Sequence, residues 1–182
     1  PNISRILSSI GNFIYGEEDG TVFVNQYMSS DVEYGDIKIS QITDYPESGT
    51  VKIKAEGAKS IALRIPSWCK SFKINAEYEM KNGYALVKNT ESEITLEMDI
   101  KPFIVLSNPN VYDNFGKVAL QMGPVVYCAE GIDNDCDLHM LSIDKNLNYL
   151  IGINRELKCP TIEVKGFKAK EKSSLYFDFE ES

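Results

Sequence analysis

The run VKIKAEG at residues 51–57 constrains the fold more than any other stretch, because it alternates without a break: Val51, Ile53 and Ala55 on one side, Lys52, Lys54 and Glu56 on the other. A period of two is the geometry of a strand with one face on a core and one in water. The same period puts Ile61, Leu63 and Ile65 on one face, then Phe72 and Ile74, then Ile94, Leu96, Met98 and Ile100 against Thr95, Glu97 and Asp99. Half-buried strands need a second sheet to cover their apolar faces. The expectation is an all-β chain made of antiparallel, jelly-roll-like β-sandwiches.

Turn chemistry separates the strands. EEDGT precedes Thr21–Val24, YGD spans residues 34–36, ESGT leads into Val51, and KNGY covers residues 81–84. Asn82-Gly83 is the sharpest of these signals, since both residues tolerate the positive φ that a two-residue type I′ hairpin demands. A second block follows the proline-rich run KPFIVLSNPNVYDNFG, so a domain boundary is expected between residues 107 and 115. Within that block KVALQMGPVVYCAEG reads as two strands broken at Gly123-Pro124, and DNDCDLHMLSIDKN as a polar loop. TIEVKGFKA reads as one strand, and SSLYFDFEES as a last strand with Leu175, Phe177 and Phe179 inward.

The first sixteen residues do not fit the β pattern. Ile3, Ile6, Leu7, Ile10 and Ile14 recur at spacings of three and four, which marks one apolar stripe of a helix starting at Pro1-Asn2. The expected division is therefore a helix over 1–15, a first β-sandwich over 16–110 and a second over 111–182. That final strand is apolar enough to want a neighbour, and the chain opens on proline, so it reads as cut at both ends.

Charge narrows the partners. Nineteen Lys and Arg against 27 Asp and Glu leave a formal charge of −8, which disfavours phosphate backbones and anionic lipid heads. No apolar run approaches the roughly 20 residues of a membrane-spanning helix. Neither a nucleic acid nor a membrane is expected as a partner. Cys69, Cys128, Cys136 and Cys159 form no C-x-x-C pair and read as reduced structural thiols, with the cytoplasm as the expected compartment.

Local signatures of chemistry are few. There is no phosphate-binding glycine loop and no H-E-x-x-H, and His139 is the one histidine, in a polar loop with no positioned nucleophile beside it. Asp133, Asp135, Asp137 and Asp144 stand first, third, fifth and twelfth in a calcium-loop spacing. Leu138 holds the place that wants glycine, however, and the twelfth ligand is not the longer glutamate, so a solvated acidic loop is the reading. The acidic runs GEEDG and NTESE lie in apparent turns, where nothing desolvates a carboxylate for acid catalysis. Trp68, after the strand end LRIPS, is expected to plug the sandwich rather than stack on sugar. The sequon at Asn2 falls inside the helix and reads as chance. No catalytic, cofactor-binding or metal-binding residue is expected within the chain.

Three stretches, PNISRILSSIGNFIYG, LRIPSWC and GKVALQMGPVVYCAEGID, together resemble the C-terminal part of glycoside hydrolase family 127, the bacterial β-L-arabinofuranosidases and their relatives. The resemblance implies an (α/α)6 catalytic barrel followed by two β-sandwich domains. It makes the N-terminal helix the barrel's remnant, with Pro1 matching the second proline of a Cys-Cys-Pro-Pro-Asn segment. It further implies a zinc-bound cysteine nucleophile and glutamate acid/base, all preceding Pro1, so zinc is implied for the barrel and for none of Cys69, Cys128, Cys136 or Cys159. Expected partners are the barrel and the carbohydrate substrate of the parent enzyme, with a homodimer contact as a further role for the helix. The function so implied is a non-catalytic β-sandwich portion of a glycosidase, and the alternative is a stand-alone carbohydrate-binding or assembly module.

Overall fold

The computed structural model describes residues 2–88, 90, 92–154, 159–172 and 175–176. They divide into two compact units, 1–101 with 122–125, and 102–121 with 126–182. The division falls between Lys101 and Pro102, ahead of the break expected at 107–115. The reason is local: Pro102–Leu106 is itself a strand, and Pro102 begins it, a place where a missing N–H costs no ladder bond.

The first unit opens with α1 (Asn2–Ser9) and a single-turn α2 (Gly11–Ile14), so the expected helix is real but broken at Ile10. Ten strands follow: β1 (Tyr15–Glu18), β2 (Thr21–Val24), β3 (Ser30–Tyr34), β4 (Ile37–Thr43), β5 (Thr50–Glu56), β6 (Ser60–Arg64), β7 (Phe72–Ile74), β8 (Tyr78–Lys81), β9 (Tyr84–Val87) and β10 (Ile94–Met98). They form two five-stranded sheets in the orders β1-β2-β6-β9-β8 and β3-β4-β5-β10-β7. Hairpins make most neighbours antiparallel, but β2 runs parallel to β6, Val22 beside Ile61 and Val24 beside Leu63. The sandwich is thus mixed where an antiparallel one was expected.

Its core is the one the alternation implies. Val51, Ile53 and Ala55 of β5, Ile61 and Leu63 of β6, and Ile94, Leu96 and Met98 of β10 are buried, joined by Val22, Val24, Ala85 and Val87. Lys52, Lys54 and Glu56 stay in water. In β6 Ala62 is buried as well, on the opposite side, which makes this central strand apolar on both faces. The Asn82-Gly83 hairpin closes β8 on β9 with φ values of 51° and 83°, the left-handed pair a type I′ turn requires.

The second unit is built on β11 (Pro102–Leu106), β12 (Val118–Met122), β13 (Val125–Tyr127), α3 (Gly131–Asn134), β14 (Leu141–Ile143), β15 (Tyr149–Asn154), β16 (Cys159–Val164) and β17 (Gly166–Lys168), with residues 122–125 at the β12–β13 turn grouped with the first unit. Its sheets are β11-β12-β13, β14-β17 and β15-β16. This is all-β but not a closed sandwich among the described residues, where no large apolar side chain of the unit is fully buried. The break at Gly123-Pro124 stands as expected. The polar loop at 133–146 instead holds the second half of α3, a 3-10 turn at Leu138–Met140 and β14, and TIEVKGFKA is split at Lys165 because β16 pairs with β15 while β17 pairs with β14. Of the last expected strand, Leu175 and Tyr176 are exposed bends and Phe177 and Phe179 lie outside the described residues.

Candidate functional site

Strand registers place α1, the segment Asn25–Ser29, the loop Asp44–Gly49 and the segment Ile65–Ser71 at one end of the first sandwich. Tyr15, which follows α2, pairs with Val24, and Val24 with Leu63; Ser30 pairs with Gln41, and Thr43 with Val51. A buried polar network ties the two sheets there. The Gln41 amide donates from Nε2 to the Tyr15 hydroxyl at 2.9 Å and the Met28 carbonyl at 3.0 Å, and the Tyr15 hydroxyl meets Ser30 Oγ at 2.9 Å. Gln41 is 1% exposed.

Beside the network stands an aromatic cluster. The Tyr27 hydroxyl donates to the Arg64 carbonyl, Tyr27 meets Tyr45 edge-on at 5.8 Å, and Tyr45 stacks on Trp68 at 6.4 Å and 21°. Trp68 is half-buried against the core, the plug expected of it. Burial pushes the phenols of Tyr15, Tyr27 and Tyr45 upward, most strongly for Tyr27, and it raises the Cys69 thiol, whose S–H donates to the Ser71 carbonyl at 3.3 Å. A phenol held neutral in the fold contributes stability that is complete below its unfolded pKa of about 10 and is lost as pH rises beyond it. The urea midpoint should therefore fall above about pH 10, and fall less steeply in Tyr27→Phe; equal slopes in the two proteins would contradict the assignment.

What this end presents outward is apolar. No residue of α1 is buried, and Ile3, Ile6 and Leu7 are 76%, 57% and 65% exposed, with Phe13 of α2 at 55%. Of the stripe, Ile14 is buried and Ile10 half-buried. A helix with a bare apolar stripe is built to lie on another surface.

The reacting groups that the sequence offers are scattered. His139 is exposed in its 3-10 turn, and Glu17 uses its carboxylate to accept the Gly20 N–H at 2.7 Å. Glu93 is exposed, and Glu91 lies outside the described residues. Asp133, Asp135 and Asp137 are exposed, Asp135 caps α3 in the left-handed region, and Asp144 accepts the Asn146 N–H at 2.9 Å. Calcium-like spacing therefore does not become a cage. Cys69 is buried, Cys136 and Cys159 are half-buried and Cys128 is exposed, all as free thiols. Among the described residues no three His, Cys, Asp or Glu side chains converge on one point, so this donor set does not fit a zinc ion. Asn2 of the sequon is exposed at the start of α1. Among the described residues no helix is long and apolar enough to cross a membrane.

Comparison with known proteins gives the arrangement its context. Residues 21–100 match the model of the "Beta-L-arabinofuranosidase, GH127 middle domain", and residues 102–169 match that of the "Glycoside hydrolase family 127 C-terminal domain". The curated non-reducing end β-L-arabinofuranosidase of Bifidobacterium longum subsp. longum is 34% identical over 75% of this chain. The chain spans only 24% of that relative's length. A crystal structure of a GH127 β-L-arabinofuranosidase from Geobacillus stearothermophilus superposes with a TM-score of 0.77 at 31% identity, covering 91% of this chain and 29% of the other. A structure described as a glycoside hydrolase shares the fold at a TM-score of 0.79 and 22% identity, covering 98% of this chain and 34% of its own. With two domain models matched in consecutive order over most of its length, the chain belongs to glycoside hydrolase family 127, of which it carries the middle and C-terminal domains.

Proposed function

We propose that this chain is the non-catalytic β-sandwich portion of a β-L-arabinofuranosidase-type glycoside hydrolase, a platform on which a separate α-helical catalytic barrel rests. The observation that carries the reading is the bare stripe of Ile3, Ile6 and Leu7 at the end of a well-packed sandwich, in a chain that covers a quarter of its curated relative. Burying three such side chains on a neighbouring body is worth on the order of 1.5–3 kcal/mol each at full burial. The barrel supplies nucleophile, metal and acid/base, and the β module fixes its orientation. Four thiols with no disulfide suit a reducing cytoplasm.

The test compares this chain with a longer one extended upstream through the barrel, both with zinc and a reductant, on p-nitrophenyl β-L-arabinofuranoside. Hydrolysis is expected from the longer chain alone, and Ile6→Glu with Leu7→Glu should impair it while leaving the stability of this chain within about 0.5 kcal/mol. Arabinose release by the present chain would end the reading. The stand-alone binding module is favoured instead if the longer chain is silent and its two parts do not associate.

A further inference from the structure

We propose that a groove at the opposite end of the first sandwich is a binding site for one neutral sugar unit of a glycan. It encloses about 490 Å³ between the β7–β8 connection and the start of β10, within the size range of small-ligand sites. Its position follows from register: Tyr78 pairs with Val87, Val87 with Ile61, and Ile61 with Val22, whereas Tyr15 beside the helices pairs with Val24. A partner seated on α1 therefore leaves the groove open, and in this respect the inference rests on the functional reading above.

The lining has two kinds of surface. Ala76, Leu86 and Ile94 contribute apolar lining, and Tyr78, 42% exposed, lines the groove with its ring beside Phe72 at 5.6 Å. Asn75 pins the wall by donating from Nδ2 to the Glu93 carbonyl at 3.1 Å and accepting the Thr95 N–H at 2.8 Å. Around the rim stand Glu77, Glu79 and Glu93, none in an ion pair among the described residues, and Lys88. A sugar ring has an apolar C–H face and an edge of hydroxyls. The phenol ring and the apolar lining suit the first, and carboxylates that accept and an ammonium that donates suit the second. Three carboxylates against one ammonium repel an anion, and a wholly apolar ligand would make no use of the hydrogen-bonding groups on the rim. A neutral polyol meets both conditions.

Amide chemical-shift titration of this chain with methyl β-L-arabinofuranoside, with sodium glucuronate as the anionic counterpart, reads the proposal directly. Saturable shifts are expected at residues 76–79 and 93–94 with a Kd on the order of millimolar, and none with glucuronate. Tyr78→Ala and Glu79→Gln should each weaken binding by roughly fivefold. Glu79 is exposed on an edge strand, so its variant keeps the fold whatever Tyr78→Ala does to the contact with Phe72. Absence of saturable shifts, equal binding of glucuronate, or an unchanged Kd in Glu79→Gln would overturn the site. Arabinose release by the longer chain is a separate readout, so hydrolysis without groove binding sinks this inference alone, and binding without hydrolysis sinks only the catalytic reading.

Discussion

Leu63→Ala should cost the first unit roughly 2–5 kcal/mol, the largest loss expected from any single truncation here. Leu63 has no exposed surface and lies in β6, which sits between β2 and β9 and is covered on its other face through Ala62. No edge is near enough to collapse into the hole, so both the transfer term and the cavity term are paid in full. Domains of this kind hold only about 5–15 kcal/mol in total, and in a chain of this length each kcal/mol moves the midpoint by about 2–4 °C. A drop of about 4–20 °C follows. Trp68 packs on the same cluster and is the sole tryptophan, so its fluorescence reports the first unit without interference from the second. Ile42→Ala, at a side chain 62% exposed on the same sandwich, should stay within about 0.5 kcal/mol. A loss below about 1 kcal/mol for Leu63→Ala would mean that the core is not packed as described.

The same burial explains what could be read in advance. β5 and β10 were legible because each has one wet face and one dry face, which writes a two-residue period into the sequence, and the Asn82-Gly83 turn because its backbone demands those residues. β1 was not, since this edge strand is held by backbone pairing to β2 rather than by burial, and its Glu17 and Glu18 look like turn residues. The parallel pairing of β2 with β6 joins segments far apart in the chain and leaves no local mark beyond the doubly apolar Ile61-Ala62-Leu63. In the second unit short strands face water on much of their surface, so composition there hid β14 and the split between β16 and β17. The apolar stripe of α1 was plain, and its exposure is what turns it into a functional statement. The groove carries no motif, because Asn75 and Tyr78 meet Glu93 and Ile94 only once β7 lies on β10.

Gly49→Ala should destabilise the first unit by about 3 kcal/mol, at or beyond the upper end of ordinary overpacking. Gly49 ends the turn in which Glu47 and Ser48 donate their N–H groups to the Asp44 carbonyl at 2.9 and 3.1 Å, and its own carbonyl accepts the Met98 N–H at 2.9 Å. A Cβ there would lie 1.9 Å from the Met98 carbonyl oxygen and 2.9 Å from its carbon. The obstacle is backbone, so no rotamer change relieves it; the start of β5 has to leave the end of β10. That movement strains the pairs Thr50 with Glu97 and Val51 with Leu96, and Val51 and Leu96 are core residues with no exposed surface. Gly35→Ala separates space from conformation. Gly35 has φ +58° and no atom within 4 Å of a Cβ, so its cost is the left-handed penalty of about 1–2 kcal/mol and nothing more. Urea unfolding of both variants, followed by Trp68 fluorescence, should rank Gly49→Ala well below Gly35→Ala in stability. Equal midpoints would show that the two strand ends are not in contact at Met98, and with that the register joining β5 to β10 would have to be redrawn.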